Sequence, residues 1–469
     1  MTSSLAGQAI AGRLPHIVLI MLDDMGYGDP GCYNADSKIK TPNMDAVAAA
    51  GMRFTDAHAA GPLCHMSRYG LLTGVYPFRT DVSRWPSQPL IAKDQMTLAS
   101  MLKQRGYQTA MVGKWHLGFA EQGYEQPLPG GPCSVGFDSF FGIRASTDIP
   151  PYFYIRGDRA VEPPTMTIAA NNSDGWSPIQ GAFWRAGNIA PNMKLADVLP
   201  RFTDEAVAVI EDYQDQPESP LFLYLAYPAP HTPWLPSEEF VGKSDAGMYG
   251  DFTEMVDAML GRVLRALEDA GLPEDTLLIV TSDNGPTWYE TDVKRLGHDA
   301  SGGWRGMKAD AWEAGHRVPF VVRWPNVVPP GSTTNQLVSF VDVLATLAAV
   351  TDASTAPNMV HDSIDFSPVL GVDMTARQGH AAQLRNSLAL QSGGGFMTFR
   401  YENWKLIEGL GSGGFSQPKK LEPQAGEPSV QLYNLHDDPA ETTNLAQQFP
   451  ERVSQLKTML SRVLSTRPH

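Results

Sequence analysis

Short apolar runs of strand length recur along this chain, and each runs straight into ionisable residues. Ile17-Val18-Leu19-Ile20-Met21-Leu22 leads into Asp23-Asp24, and Thr109-Ala110-Met111-Val112 into Gly113-Lys114-Trp115-His116. Leu221 to Ala226 leads through Tyr227-Pro228-Ala229-Pro230 to His231, and Leu277 to Ser282 leads into Asp283-Asn284-Gly285. Runs that are apolar throughout, rather than alternating, predict strands buried on both faces. Helical patterns lie between them, each closed by glycine: Met44 to Ala50 before Gly51, Thr97 to Arg105 before Gly106, and Phe252 to Ala270 before Gly271, with Pro273 just beyond. This alternation predicts an α/β fold, a large central sheet, mostly parallel or mixed, with helices on both faces. Ligands of such sheets bind beyond the carboxyl ends of the strands. The four polar clusters are therefore expected to converge, although most of the chain separates the first from the last.

The residue types at those strand ends suggest a chemistry. Asp23, Asp24, Asp283 and Asn284 offer hard oxygen ligands, which suit Ca²⁺, Mg²⁺ or Mn²⁺ rather than zinc. Three carboxylates around one divalent ion leave excess negative charge, for which Lys114 and Lys308 are the candidate counter-cations; a solvated surface lysine is the plain alternative for each. Cys64 opens a predicted helix that stops at Gly74. A helix N-terminus favours anions, and Arg68 lies one turn on, on the same face. A nucleophile-bearing position beside a guanidinium suits chemistry on an anion. The alternative for Cys64 is a buried structural cysteine, which is also the reading for Cys32 and Cys133. Any one cluster alone is a common turn or cap, but four obeying one rule point to function.

Composition narrows the partners. With 36 basic and 51 acidic side chains the net charge is -15, which disfavours nucleic acid. Three cysteines make no disulfide framework, and no stretch is long and apolar enough to span a membrane. Met1 to Leu22 does not read as a secretion signal. The expected location is the cytoplasm if Met1 is the native start, and the periplasm or exterior if a signal peptide has been removed. The sequence assigns no oligomeric state.

Further motifs run in order along nearly the whole chain: Asp23-Asp24-Met25-Gly26-Tyr27-Gly28-Asp29, Thr41-Pro42-Asn43-Met44-Asp45, the Cys64 helix, Gly113-Lys114-Trp115-His116-Leu117-Gly118, Gly136-Phe137-Asp138, Pro230-His231-Thr232-Pro233-Trp234, Ser282-Asp283-Asn284-Gly285-Pro286, Trp312 to Phe320, and Leu432-Tyr433-Asn434-Leu435 with Asp438-Pro439-Ala440-Glu441. Together they resemble the arylsulfatase-like, formylglycine-dependent type I sulfatases of the alkaline-phosphatase superfamily. The resemblance implies a sulfuric ester hydrolase that splits an aryl or carbohydrate sulfate ester into alcohol and inorganic sulfate. It implies a catalytic domain over residues 1–375 and a smaller C-terminal α+β domain with an antiparallel sheet over 376–469. Trp404 to Ile407 and Gln431 to Leu435 read as its strands, and Glu451 to Leu464 as an amphipathic closing helix with Val453, Leu456, Leu460 and Val463 on one face.

The resemblance also implies roles. Cys64 is oxidised to formylglycine by a maturase, and its hydrate supplies the oxygen that attacks sulfur. The metal at Asp23, Asp24, Asp283 and Asn284 is usually calcium. Arg68 orients the hydrate, Lys114 and Lys308 bind sulfate oxygens, His231 protonates the leaving group, and His116 helps remove a proton from the hydrate. The family's cysteine motif is usually Cys-x-Pro-x-Arg, sometimes with Ala in the middle, and here Met66 stands in that place. Contacts with the rest of a small-molecule or saccharide ester are expected from His298, Trp304 and Arg305, with Trp176, Trp184, Arg185, Trp288 and Tyr289 as further rim candidates. Two other readings stand beside this one: a phosphodiesterase or phosphonate monoester hydrolase of the same superfamily, and a silent homologue that binds metal and anion but lacks the nucleophile.

Overall fold

The strand His16–Asp23 is buried at every position, as its unbroken apolar run predicts. It lies between the strands Thr276–Ser282 and Leu221–Pro230, parallel to both. Gln108–Lys114 pairs in parallel with Leu221–Pro230, and Ser139–Ile143 continues the parallel set. The register is nearly level: His16 pairs with Thr276, and Ile17 with Phe222. All five strands therefore end on the same side of the sheet. The computed structural model describes residues 14–213, 219–355, 362–372 and 384–465.

Shorter strands extend this parallel core into a ten-stranded mixed sheet. Phe320–Arg323 runs antiparallel to Thr276–Ser282, and Met52–Phe54 antiparallel to Phe320–Arg323. Helices gather in two groups. Pro42–Ala49, Val198–Tyr213 and Gly247–Asp269 pack together, and Cys64–Thr73, Leu98–Gln104 and Asp342–Thr351 form the other group. Helical layers on both sides explain why the central strands need no polar face. Gly113 is required where it stands: its φ is +116°, and a Cβ there would lie 1.9 Å from the Ala226 carbonyl oxygen. Among the described residues no helix is long and apolar enough to cross a membrane.

The C-terminal part is an antiparallel meander of Ser387–Gln391, Met397–Tyr401, Trp404–Ile407 and Gln431–Asn434. The helix Pro450–Ser465 closes it and buries Leu456 and Leu460, each worth about 1.5–3 kcal/mol relative to exposure. Val453 and Val463 pack half-buried beside them. The expected α/β fold with an antiparallel C-terminal sheet is the one observed. The expected domain boundary at residues 375/376 lies outside the described residues.

Candidate active site

The side chains that end the parallel strands meet in one buried cluster. Two backbone positions make the turn off the sheet: Asp24 (φ 66°) and His116 (φ 59°) both adopt the left-handed conformation, which is uncommon for residues other than glycine. Ala309, directly after Lys308, does the same with φ 73°.

Each carboxylate has its own cation. Lys114 Nζ lies 2.5 Å from Asp23 Oδ2, and Lys308 Nζ lies 2.6 Å from Asp24 Oδ1. Arg68 donates to Asp283 Oδ2 from two nitrogens, at 3.0 and 2.8 Å, and to the Lys114 carbonyl at 2.9 Å. The helix Cys64–Thr73, stopped by left-handed Gly74, places Cys64 and Arg68 on this cluster. Cys64 Sγ sits 3.4 Å from both Asp23 Oδ1 and Lys308 Nζ.

Burial and charge set the ionisation. Burial pushes Asp23 up, but Lys114, His231, Arg68 and Lys308 together outweigh it and hold the carboxyl below its ordinary range. Burial and the Asp23 charge push its partner Asp283 upward against the pull of Arg68. Burial, then Asp23 and Asp283, push the Cys64 thiol well up. Burial and Lys114 depress His116 far below the ordinary imidazole value, so its ring is neutral.

The cluster fits a divalent metal. Asp23, Asp24, Cys64 and His231 each bring a candidate ligand atom to within 4.8 Å of the others. Asn284 Nδ2 donates to Asp24 Oδ1 at 2.6 Å, while Asn284 Oδ1 is buried and accepts no hydrogen bond. A buried amide oxygen without a partner is costly unless something else occupies it, and a hard cation would suit the surrounding oxygens. Asp283 joins through its Oδ1, which accepts from the Asp24 amide at 3.3 Å.

A family model described as Sulfatase matches residues 15–353, which span all of these strand ends. The chain belongs to the sulfatase family. This sulfatase is 34% identical to N-acetylgalactosamine-6-O-sulfatase of Bacteroides thetaiotaomicron, over 96% of the chain and 93% of that protein. It is 34% identical to human arylsulfatase A, over 97% of the chain and 88% of that protein. A solved structure from the glycosaminoglycan metabolism of Bacteroides thetaiotaomicron superposes with a TM-score of 0.83 at 30% identity, covering 97% of this chain and all of the other. By contrast, the phosphonate monoester hydrolase of Agrobacterium radiobacter shares only the fold, at 19% identity and a TM-score of 0.61. The sulfatase is thus a sulfuric ester hydrolase, and its family implies a metal site and a formylglycine.

The cluster unites Asp23, Asp24, Cys64, Arg68, Lys114, Asp283, Asn284 and Lys308, with His231 beside it: His231 Nε2 lies 3.8 Å from Asp24 Oδ2. His116 sits at the end of Gln108–Lys114, stacked on Trp85 with ring centroids 4.3 Å apart, and its Nδ1 faces Ser146 Oγ at 3.4 Å. The residues expected to contact the rest of the ester have the following partners. His298 is fully buried; its Nε2 bonds Asp29 Oδ1 at 2.8 Å and its Nδ1 faces the Lys38 amide at 3.4 Å. Both ring nitrogens are thus engaged, and the ring ties Asp29 to the backbone at Lys38. The Arg305 guanidinium stacks on Trp312 at 3.7 Å and donates to the Glu441 carbonyl. Trp304 lies against the Arg317 guanidinium at 3.9 Å. Trp304 also meets the Tyr27 ring edge-on at 6.1 Å, and Arg305 alone of the two reaches the C-terminal segment.

Sequence reasoning missed four residues near the histidines. Trp85 and His65 stack with each other, their centroids 5.4 Å apart. Ser146 faces His116, and Asp148 lies behind His231. Ser146 and Asp148 follow the strand Ser139–Ile143, so the rule that found the other clusters points to them as well.

Proposed function

We propose that this sulfatase cleaves saccharide sulfate esters, with residue 64 converted to formylglycine and calcium held by Asp23, Asp24, Asp283 and Asn284. The observation that carries this reading is the state of Cys64. Its sulfur contacts Asp23 and Lys308 at the head of a helix, and burial, then Asp23 and Asp283, push the thiol up. A protonated thiol is a poor nucleophile, so the position suits an oxygen nucleophile instead. When present, the converted residue and the metal supply that oxygen and the positive charge that stabilises the transition state.

The chain's own residues do the remaining work. Lys114 and Lys308 hold the sulfate oxygens. Arg68, fixed to Asp283 and the Lys114 carbonyl, anchors the helix that bears residue 64. His231 Nε2 gives a proton to the leaving oxygen. His116, neutral and with Nδ1 toward Ser146, accepts a proton at Nε2. The relative named N-acetylgalactosamine-6-O-sulfatase supports an amino-sugar 6-O-sulfate as the first substrate to test. Cys64 is 4% exposed, so a maturase converting it acts before the fold closes.

The test is the mass of the tryptic peptide Phe54–Arg68, paired with turnover of amino-sugar and nitrophenyl sulfates before and after chelation. An aldehyde mass, with turnover lost in Cys64→Ala and on removal of metal, is the expected result. A thiol mass in a protein that still turns over sulfate esters refutes the formylglycine reading. A thiol mass without turnover matches the silent homologue.

A further inference from the structure

His231 is held from behind. Its Nδ1 lies 2.6 Å from the Thr232 carbonyl oxygen, while its Nε2 faces the carboxylate cluster, 3.8 Å from Asp24 Oδ2. On the Nδ1 side stands Asp148, which is 4% exposed. Asp148 Oδ1 is 4.0 Å from His231 Nδ1 and accepts no hydrogen bond from any described residue. Asp148 Oδ2 is clamped by Arg185, whose same nitrogen also donates to the Asp148 carbonyl at 3.2 Å. Arg185 rests against the Phe183 ring at 5.0 Å and is 49% exposed. A buried carboxylate oxygen left without a donor is costly. Here that oxygen faces the outer nitrogen of the ring that meets the cluster. The adjacent Thr147 hydroxyl donates to the Thr232 carbonyl at 3.4 Å, so one turn braces both the ring and its acceptor.

We propose that Asp148, clamped by Arg185, is a positioning residue that keeps a hydrogen on His231 Nδ1 and turns Nε2 toward the leaving oxygen. This rests on the reading of His231 as proton donor. In the step it serves, the bond between sulfur and the leaving oxygen breaks, and its electron pair stays on that oxygen. The oxygen takes the proton from Nε2, and the ring is left neutral with its hydrogen still on Nδ1, bonded to Thr232. On the Nδ1 side the ring faces the Asp148 carboxylate, whose Oδ1 is 4.0 Å away. A ring freed from this hold can turn over or move its hydrogen to Nε2, and either change misplaces the donor.

The consequence depends on the leaving group. An acidic nitrophenol departs without help, whereas a sugar alcohol needs the proton. Asp148→Asn, Arg185→Met and His231→Asn are compared in the matured protein on nitrophenyl sulfate and on an amino-sugar 6-O-sulfate. The 15N spectrum of the imidazoles, with His231 assigned by its loss in His231→Asn, reports the ring's hydrogen independently of turnover. Asp148→Asn is expected to lower kcat on the sugar sulfate roughly 10- to 100-fold more than on nitrophenyl sulfate, up to the lower end of general-acid effects, with KM little changed. Arg185→Met, at a half-exposed site, is expected to shift the same ratio less and tests the idea if Asp148→Asn does not fold. The wild-type spectrum is expected to show His231 with hydrogen on Nδ1, and the variant to lose that state. Equal losses on both substrates, or an unchanged His231 signal, overturn the positioning role. If His231→Asn is also indifferent to the leaving group, the proton-donor reading falls with it. If His231→Asn discriminates and the Asp148 variant does not, only the role of Asp148 falls.

Discussion

Replacing Lys405 with methionine tests how the C-terminal sheet is locked to the catalytic part. Lys405 lies in the strand Trp404–Ile407 and its side chain is 2% exposed. Its Nζ is 2.9 Å from Glu313 and 2.9 Å from Glu441. Glu313 keeps a second cation, Arg317, at 2.8 Å, whereas among the described residues Glu441 pairs with Lys405 alone. Burial already pushes Glu441 up to about 7, with Lys405 pulling down and Glu313 pushing up. Methionine keeps the packing of the stem and removes the charge. Removing one partner of a buried pair typically costs about 3–5 kcal/mol. Here Glu441 relieves part of that cost by keeping a proton. The sign follows from linkage: a carboxyl raised in the folded state loses stability as pH rises toward its folded value. Without Lys405 that value moves higher, so wild type and variant diverge above about pH 7, by at most about 1.4 kcal/mol per pH unit. Thermal and denaturant midpoints at pH 6 and pH 8 measure this. Lys420→Met is the control, since Lys420 is 68% exposed in its pair with Glu422, and such pairs are worth about 0–1 kcal/mol. A gap between wild type and Lys405→Met that is equal at both pH values refutes the reasoning. So does a Lys405 variant as harmless as the control.

The same junction predicts acid sensitivity. His58 and His316 are both depressed by burial, and their Nδ1 atoms, 2.9 Å apart, share one hydrogen. The folded rings take up protons at lower pH than the unfolded ones, so stability falls as pH drops below about 6.5, by at most about 1.4 kcal/mol per unit for each ring; a melting midpoint that is flat from pH 7 to 5 contradicts this. Gly113→Ala is expected to abolish soluble folded protein or lower stability by more than about 4 kcal/mol, because the new Cβ would meet a carbonyl oxygen at 1.9 Å. Gly106→Ala, also at positive φ but with nothing within 4 Å, is expected to lose only about 1 kcal/mol; similar losses in the two would show that strain at positive φ, not the contact, decides.

The sheet was legible because its central strands are buried on both faces, which leaves an uninterrupted apolar signature ending abruptly in Asp23, Lys114, His231 and Asp283. The flanking strands Met52–Phe54 and Ser332–Thr334 are three residues each, too short for periodicity to register. His298 shows the limit of motif position. It precedes the Lys308 loop in sequence, but its side chain turns to Asp29, 269 positions away, and sequence spacing carries no information about that direction. The partners of Trp304 and Arg305 were hidden from the sequence for a related reason. Their partners, Arg317 on the one hand and Trp312 with Glu441 on the other, are charged or aromatic, and nothing in an exposed-looking Gly- and Arg-rich loop separates a structural stack from a substrate contact. Asp148 was legible in principle, since it follows a buried strand as the other clusters do, but no family motif drew attention to it.

Met66 stands where the family's motif usually has proline, and the fold explains why the folded protein tolerates it. The helix begins at Cys64, so residue 66 lies in its first turn. The first intrahelical bond is made by the Ser67 amide to the Leu63 carbonyl at 3.0 Å. The amide of residue 66 has no partner within the helix in any case, which is why proline is accepted at such positions and why its loss removes no bond. Met66 is buried at 3% exposure and lies against Gly61, so it packs where a smaller ring would leave space. Neither Lys114, Lys308 nor His231 depends on it. Under the proposed conversion of residue 64, the substitution is therefore expected to act on recognition of the unfolded segment and not on the pocket. The cluster itself argues for the same division of labour. Asp23, Asp24 and Asp283 are matched by Lys114, Lys308 and Arg68, so the protein folds around a balanced set of charges, and a divalent ion adds the excess that an anionic ester requires. On the proposed mechanism folding and catalytic competence are separate events, and turnover in a given preparation is expected to follow the fraction of residue 64 that is converted, not the fraction of the chain that is folded.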